Sequence, residues 1–242
     1  MKRALILIPL LLLTVLSACR GETPTPPAVT EAAVTEAAVT EAMLPPTTVP
    51  ETAPPESLPE PEDSDLVAVK QYLPEIPVEL KYATEDNFTG RKIYDFQSAY
   101  LRLGTVKKLA AVQADLKELG WGLKIWDAYR PVAAQFALWE ACPNPAYVAN
   151  PNRSFSSHSR GNTVDVTLVD DEGKELEMPT AFDSFSARAD RDYSDCTAEA
   201  ANNAQILEIL MEKHGFYGYF KEWWHFTDSV EYPVEETFHP ET

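Results

Sequence analysis

His158 and Asp165 lie seven residues apart, and His225 follows far downstream with Glu222 three positions before it. Two neutral imidazoles and one carboxylate make a three-protein-ligand set suited to zinc, with a fourth position left for water. That open position separates a catalytic zinc from a structural one. Glu222, near enough along the chain to reach the same water without being a ligand, supplies a general base beside a Lewis acid. Taken alone, His158 and Asp165 also fit a core histidine bonded to a structural aspartate. Glu222-Trp223-Trp224-His225-Phe226 makes that reading expensive, because polar atoms among three large aromatics must be engaged by metal, water or ligand.

The elements that must position these residues are legible as patterns. Apolar side chains at Val106, Leu109, Ala110, Val112, Leu116 and Leu119 recur at the helical period over 105–119, and Gly120 closes the segment. Residues 122–127 alternate as a strand, and Pro131 introduces a helix over 132–141 that Pro143 and Pro145 end. Thr163–Val169 is β-branched and apolar and predicts a core strand with Asp165 inside it. Polar residues 183–195 predict a loop, 197–213 a helix stopped by Gly215, and 217–220 with 222–227 a final hairpin. His214 falls at that helix end, where bonding to the last carbonyls explains it better than metal ligation. The expected fold is α+β, helices packed on a small, mainly antiparallel sheet that carries the zinc site.

Residues 1–18 read as an export signal: Lys2 and Arg3 precede an apolar run, 4–16, too short to span a bilayer comfortably. Leu16-Ser17-Ala18-Cys19 resembles a bacterial lipobox, which makes Cys19 a lipid anchor and places the chain outside the cytoplasm, on the cell membrane. Residues 19–65 lack aromatics and hold three Ala-Val-Thr-Glu-Ala copies at 28–32, 33–37 and 38–42. Such a segment cannot offset its conformational entropy by burial and reads as an acidic tether. Residues 66–242 carry every aromatic side chain and form one domain. The formal net charge of −18 leaves no basic patch for nucleic acid. With Cys19 assigned to lipid, Cys142 and Cys196 remain as either a disulfide or two buried thiols.

Ser-x-His-x6-Asp with Glu-x-Trp-His resembles the zinc pattern of the M15 peptidases. Lys81–Gly90, Trp126–Pro131, Ser157–Gly161 and Glu222–His225 are similar to the VanX-type D-alanyl-D-alanine dipeptidase branch, over 66–232. The resemblance implies one zinc held by His158, Asp165 and His225, with Glu222 as catalytic base and Arg130 as the arginine that stabilises the transition state. It further implies that Asp127 supports Arg130, and that Tyr82, Ser156 and Asp183 line the substrate site, Asp183 meeting the substrate ammonium. The expected substrate is D-Ala-D-Ala or a related wall peptide. A carboxypeptidase trimming stem peptides and a non-catalytic wall-binding lipoprotein are the alternatives. The connection from Arg130 to His158 looks shorter than in resistance-type members, and the tether is a further departure.

Overall fold

Thr163–Val169 is buried along its entire length, as a β-branched and apolar strand with Asp165 as its one charged residue. Such a strand needs a partner on each side, and the sheet supplies both. The computed structural model describes residues 60–241; the export signal, Cys19 and the repeats lie outside the described residues. In chain order the elements are β1 (Leu66–Ala68), α1 (Val69–Tyr72), β2 (Tyr100–Arg102), α2 (Leu103–Glu118), β3 (Gly122–Asp127) and α3 (Val132–Ala141). They continue with β4 (Thr163–Val169), α4 (Ala198–Lys213), β5 (Phe216–Tyr219) and β6 (Glu222–Asp228).

β3, β4, β6 and β5 form a four-stranded antiparallel sheet in the order β3-β4-β6-β5, and β1 pairs with β2 in a second, two-stranded sheet. The fold is α+β. α2 and α4 pack against each other and against the larger sheet. Leu109, Val112 and Leu116 of α2 and Leu207 and Met211 of α4 are wholly buried, together with Val164, Val166 and Leu168 of β4. Because successive strand side chains point to opposite faces, Asp165 and Thr167 face away from those three apolar residues. The helical period marks the core face of α2 as far as Leu116, while Leu119 lies past the helix end and is exposed, and the helix begins two residues earlier than that period shows.

The structure departs from the sequence expectations in several places. Residues 62–65, placed with the tether on composition, are bonded to the domain: Leu103 and Gly104 donate backbone bonds to the Asp65 and Asp63 carbonyls, and Arg102 Nη1 donates to the Ser64 carbonyl at 2.7 Å. Backbone bonding decides membership here, and an acidic, Pro-rich composition does not reveal it. Of the two states left open for Cys142 and Cys196 the structure has free thiols, and they are partly rather than fully buried. Cys142 caps the end of α3, and Cys196 Sγ contacts the Tyr193 carbonyl at 3.5 Å. The loop 183–195 contains a 3-10 turn at Ala187–Ala189. His214 stands at the C-cap of α4, where its backbone N–H donates to the Met211 and Glu212 carbonyls, but its ring contacts the Asp115 carboxylate at 2.6 Å and not the last carbonyls.

Candidate metal centre and active site

One row of residues crosses the centre of the sheet. Antiparallel register sets Asp127 of β3 opposite Asp165 of β4, and Asp165 opposite His225 of β6. A one-residue slip would turn Asp165 to the other face, so the apolar alternation of β4 that fixes its register also fixes this carboxylate. Residues distant in the chain become neighbours through strand pairing alone.

His158 reaches the row from a 3-10 turn, Ser157–Arg160, directly before β4. Ser156 caps that turn, its Oγ accepting from the His158 N–H at 3.3 Å. Gly161 ends the turn with φ +76, and an added Cβ would lie 2.4 Å from Leu66 Cδ2, so only glycine fits where the chain swings into β4. His158 Nδ1 is 2.8 Å from the Ala128 carbonyl. A carbonyl only accepts, so Nδ1 carries the proton and Nε2 offers its lone pair.

That lone pair faces two others. His158 Nε2 lies 3.4 Å from Asp165 Oδ1 and 3.3 Å from His225 Nδ1, and Asp165 Oδ1 lies 3.1 Å from His225 Nδ1. Ligands about 2.1 Å from a common centre at tetrahedral angles are about 3.4 Å apart, so the three edges fit a metal of the zinc type. Asp165 Oδ1 is buried without a hydrogen-bond partner, the condition expected of an atom built for a cation. Burial opposes its ionisation, but His158 and then His225 hold the carboxyl below the usual carboxylate range. These three side chains could hold a metal ion.

Glu222 and His225 should point to opposite faces, since they are three apart in one strand. They do not, because β6 is bulged. One step along β5, from Gly218 to Tyr219, corresponds to four along β6, from Phe226 to Glu222. Glu222 Oε2 comes within 3.7 Å of His225 Nδ1. Burial raises the Glu222 carboxyl above its ordinary range, with His225 opposing. A carboxylate so placed is a better proton acceptor than an exposed one.

Arg130 follows β3 and is buried. Its Nε and Nη2 donate to Asp127 Oδ2 at 3.1 and 2.7 Å, and Nη1 donates to Gln135 Oε1 at 2.8 Å. Three of its five N–H groups are thereby used, leaving two for a ligand. Burial works against the cation, yet Asp127 holds the guanidinium well above the normal arginine range. Asp127 Oδ1 accepts from Tyr94 Oη and from the Ala128 N–H, at 2.8 and 2.9 Å. Tyr82 packs under the guanidinium, 5.1 Å from ring centroid to Cζ, and its hydroxyl donates to Asp183 Oδ2 at 2.8 Å. Asp183 adopts a positive φ of 55, and burial raises its carboxyl well above the usual range despite that bond.

A cavity of about 260 Å³ unites these groups, lined by Arg130, His158, Asp165, Glu222 and His225 together with Tyr82, Ser156 and Asp183. Every sequence-selected site residue of the domain except Asp127 and the two cysteines lines it, and Asp127 lies directly behind Arg130. Tyr147 and Phe185, stacked at 4.7 Å between centroids, also line the cavity. Sequence reasoning missed these two, Gln135, Tyr94 and Arg191. Only the Asp-Ala-Tyr-Arg run hinted that Arg130 needed partners.

The fold and the site define a class. The chain belongs to the M15 peptidases: the family model described as D-ala-D-ala dipeptidase matches residues 62–239. It is 37% identical over 175 residues to the D-alanyl-D-alanine dipeptidase of Escherichia coli (strain K12), covering 72% of this chain and 90% of that protein. It is 34% identical over 178 residues to the D-alanyl-D-alanine dipeptidase of Enterococcus faecalis (strain ATCC 700802 / V583), covering 65% and 88%. Among solved structures it is similar to the LdcB LD-carboxypeptidase, at 18% identity and a TM-score of 0.43, covering 69% of this chain and 68% of that one.

Proposed function

We propose that this peptidase hydrolyses D-alanyl-D-alanine to two molecules of D-alanine, with one zinc ion held by His158, Asp165 and His225. The observation that carries this reading is the triangle of facing ligand atoms, 3.1 to 3.4 Å apart, with the Glu222 carboxylate at its edge. The similarity to D-alanyl-D-alanine dipeptidases suggests the substrate class.

A zinc ion held by His158, Asp165 and His225 would supply Lewis acidity toward a water and the scissile carbonyl. Glu222 takes the proton from the attacking water, and a C–O bond forms as the carbonyl becomes tetrahedral. Arg130, with two N–H groups uncommitted, donates to the developing oxyanion; removal of one such donor typically costs about 3–4 kcal/mol of transition-state stabilisation. Glu222 then returns its proton to the amide nitrogen as the C–N bond breaks. Asp183, steadied by Tyr82, accepts the substrate ammonium, and Ser156 lines the same wall. Tyr147 stacked on Phe185 lines the same cavity as Asp183, and a site that holds an acceptor for the free ammonium favours a dipeptide over a long stem peptide.

The decisive experiment incubates the purified, zinc-loaded chain with free D-Ala-D-Ala and, separately, with a stem pentapeptide, each with and without chelator, and measures released D-Ala. Chelator-sensitive release from the dipeptide alone is expected. Release from the pentapeptide alone would make the enzyme a carboxypeptidase, and no release from either would make it a wall-binding protein. The same reading anchors the chain through lipidated Cys19 outside the cytoplasm; incorporation of labelled fatty acid that survives C19S would remove the anchor.

A further inference from the structure

A strand that skips pairing leaves backbone carbonyls without ladder donors, and buried carbonyls left that way cost free energy. In the bulge of β6 they meet one side chain. Arg191, from the loop between residues 183 and 195, donates from Nη2 to the carbonyls of Trp223 at 3.1 Å and His225 at 2.9 Å, and from Nε to that of Tyr219 at 3.0 Å. Its backbone N–H donates to the Phe220 carbonyl at 2.9 Å. One residue therefore holds both strands of the hairpin that carries Glu222 and His225.

The surroundings are shaped to this guanidinium. It lies 4.4 Å from the centroid of the Phe226 ring, and Glu208 of α4 stands 3.3 Å from Nη1 as a counter-charge, although Nη1 itself is buried without a hydrogen bond. A Cβ on Gly218 would fall 2.2 Å from the Arg191 Cζ, so a larger residue there must displace the guanidinium from the bonds it makes. A planar fork of five donors can serve three carbonyls at fixed angles, whereas a lysine ammonium cannot reproduce the pattern.

We infer that Arg191 is a positioning residue for the metal centre: it supplies the hydrogen bonds that the β6 bulge forfeits, and so keeps His225 and Glu222 on one face. This rests on the reading of His225 as ligand and Glu222 as base. Outer contacts that orient a ligand usually weaken metal binding or activity roughly tenfold to a hundredfold when lost.

The test prepares R191M, R191K, G218A and E208Q. Zinc affinity is measured on each metal-free protein by competition with a chromophoric chelator, and kcat and KM are measured on D-Ala-D-Ala, at a temperature where circular dichroism shows each variant folded. R191M and G218A are expected to bind zinc roughly tenfold to a hundredfold more weakly and to lose kcat with KM changing far less. R191K should recover part of both, and E208Q, which keeps the carbonyl bonds, should stay near the wild type. Folded R191K and G218A that match the wild type in zinc affinity and kcat would overturn the assignment, whether or not R191M folds; so would a lowered melting temperature as their sole change. A wild-type chain that takes up no zinc would instead sink the underlying reading of the site.

Discussion

Asp165 and His225 stand in register on adjacent antiparallel strands, and the carboxylate Oδ1 lies 3.1 Å from the imidazole Nδ1. Two ligands of the proposed metal thus belong to the middle strands of the sheet, Asp165 paired on both sides and His225 on the β4 side. The third, His158, hangs from a short capped turn. Ligands on rigid elements keep their spacing without the ion, so the metal-free chain should retain its fold.

Glu222 is placed as base and not as ligand, and this separates two substitutions. E222A should retain zinc in metal analysis while kcat falls by roughly 10²- to 10⁴-fold, the usual contribution of a general base. H158A should lose the metal. An E222A enzyme with near-normal turnover would remove Glu222 from its role.

Asp127 is the counter-charge to a buried guanidinium. D127A leaves Arg130 without the carboxylate that receives its Nε and Nη2, and orphans the Tyr94 hydroxyl. Breaking such a pair costs about 3–5 kcal/mol, at roughly 2–4 °C of melting temperature per kcal/mol for a domain of this size. Thermal denaturation followed by circular dichroism would show the drop, and kcat should fall with it.

Asp183 must be ionised to hold an ammonium, and burial raises its carboxyl well above the usual range. The substrate KM of the wild type should therefore rise as pH falls through that raised pKa, at a pH where an exposed aspartate would still be charged. D183N should raise KM more than it lowers kcat and should flatten the dependence. Initial-rate measurements across the acid range check both.

Glu79 bridges Lys81 and Lys124, and although burial opposes it, the bonds from Lys124 and then Lys81 hold its carboxyl below the ordinary glutamate value. A depressed folded pKa contributes stability above the unfolded pKa and loses it as pH falls through the folded one. E79Q should thus be less stable than the wild type near neutrality, by no more than about 1 kcal/mol for a part-exposed pair. The gap should close in acid, as read from urea denaturation at each pH.

The helical period over 105–119 and the β-branched run at 163–169 were legible because each is a local pattern set by how side chains repeat along a helix or strand, whereas Glu-x-x-His was legible by its residue types alone. The bond of Arg130 to Gln135 and the service of Arg191 to three carbonyls carry no such periodicity. Nor does composition reveal that residues 62–65 join the domain, or that Cys142 and Cys196 do not pair.

What the sequence by itself determined was the chemistry: which side chains could hold a cation, which could move a proton, and which segments would form the sheet and its helices. Only the tertiary structure decided that Asp127, Asp165 and His225 share one row, and that Glu222 turns to the same side as His225. The reason is that pairing register and the β6 bulge are set by bonds between positions far apart in the chain, where no local pattern in the sequence reaches.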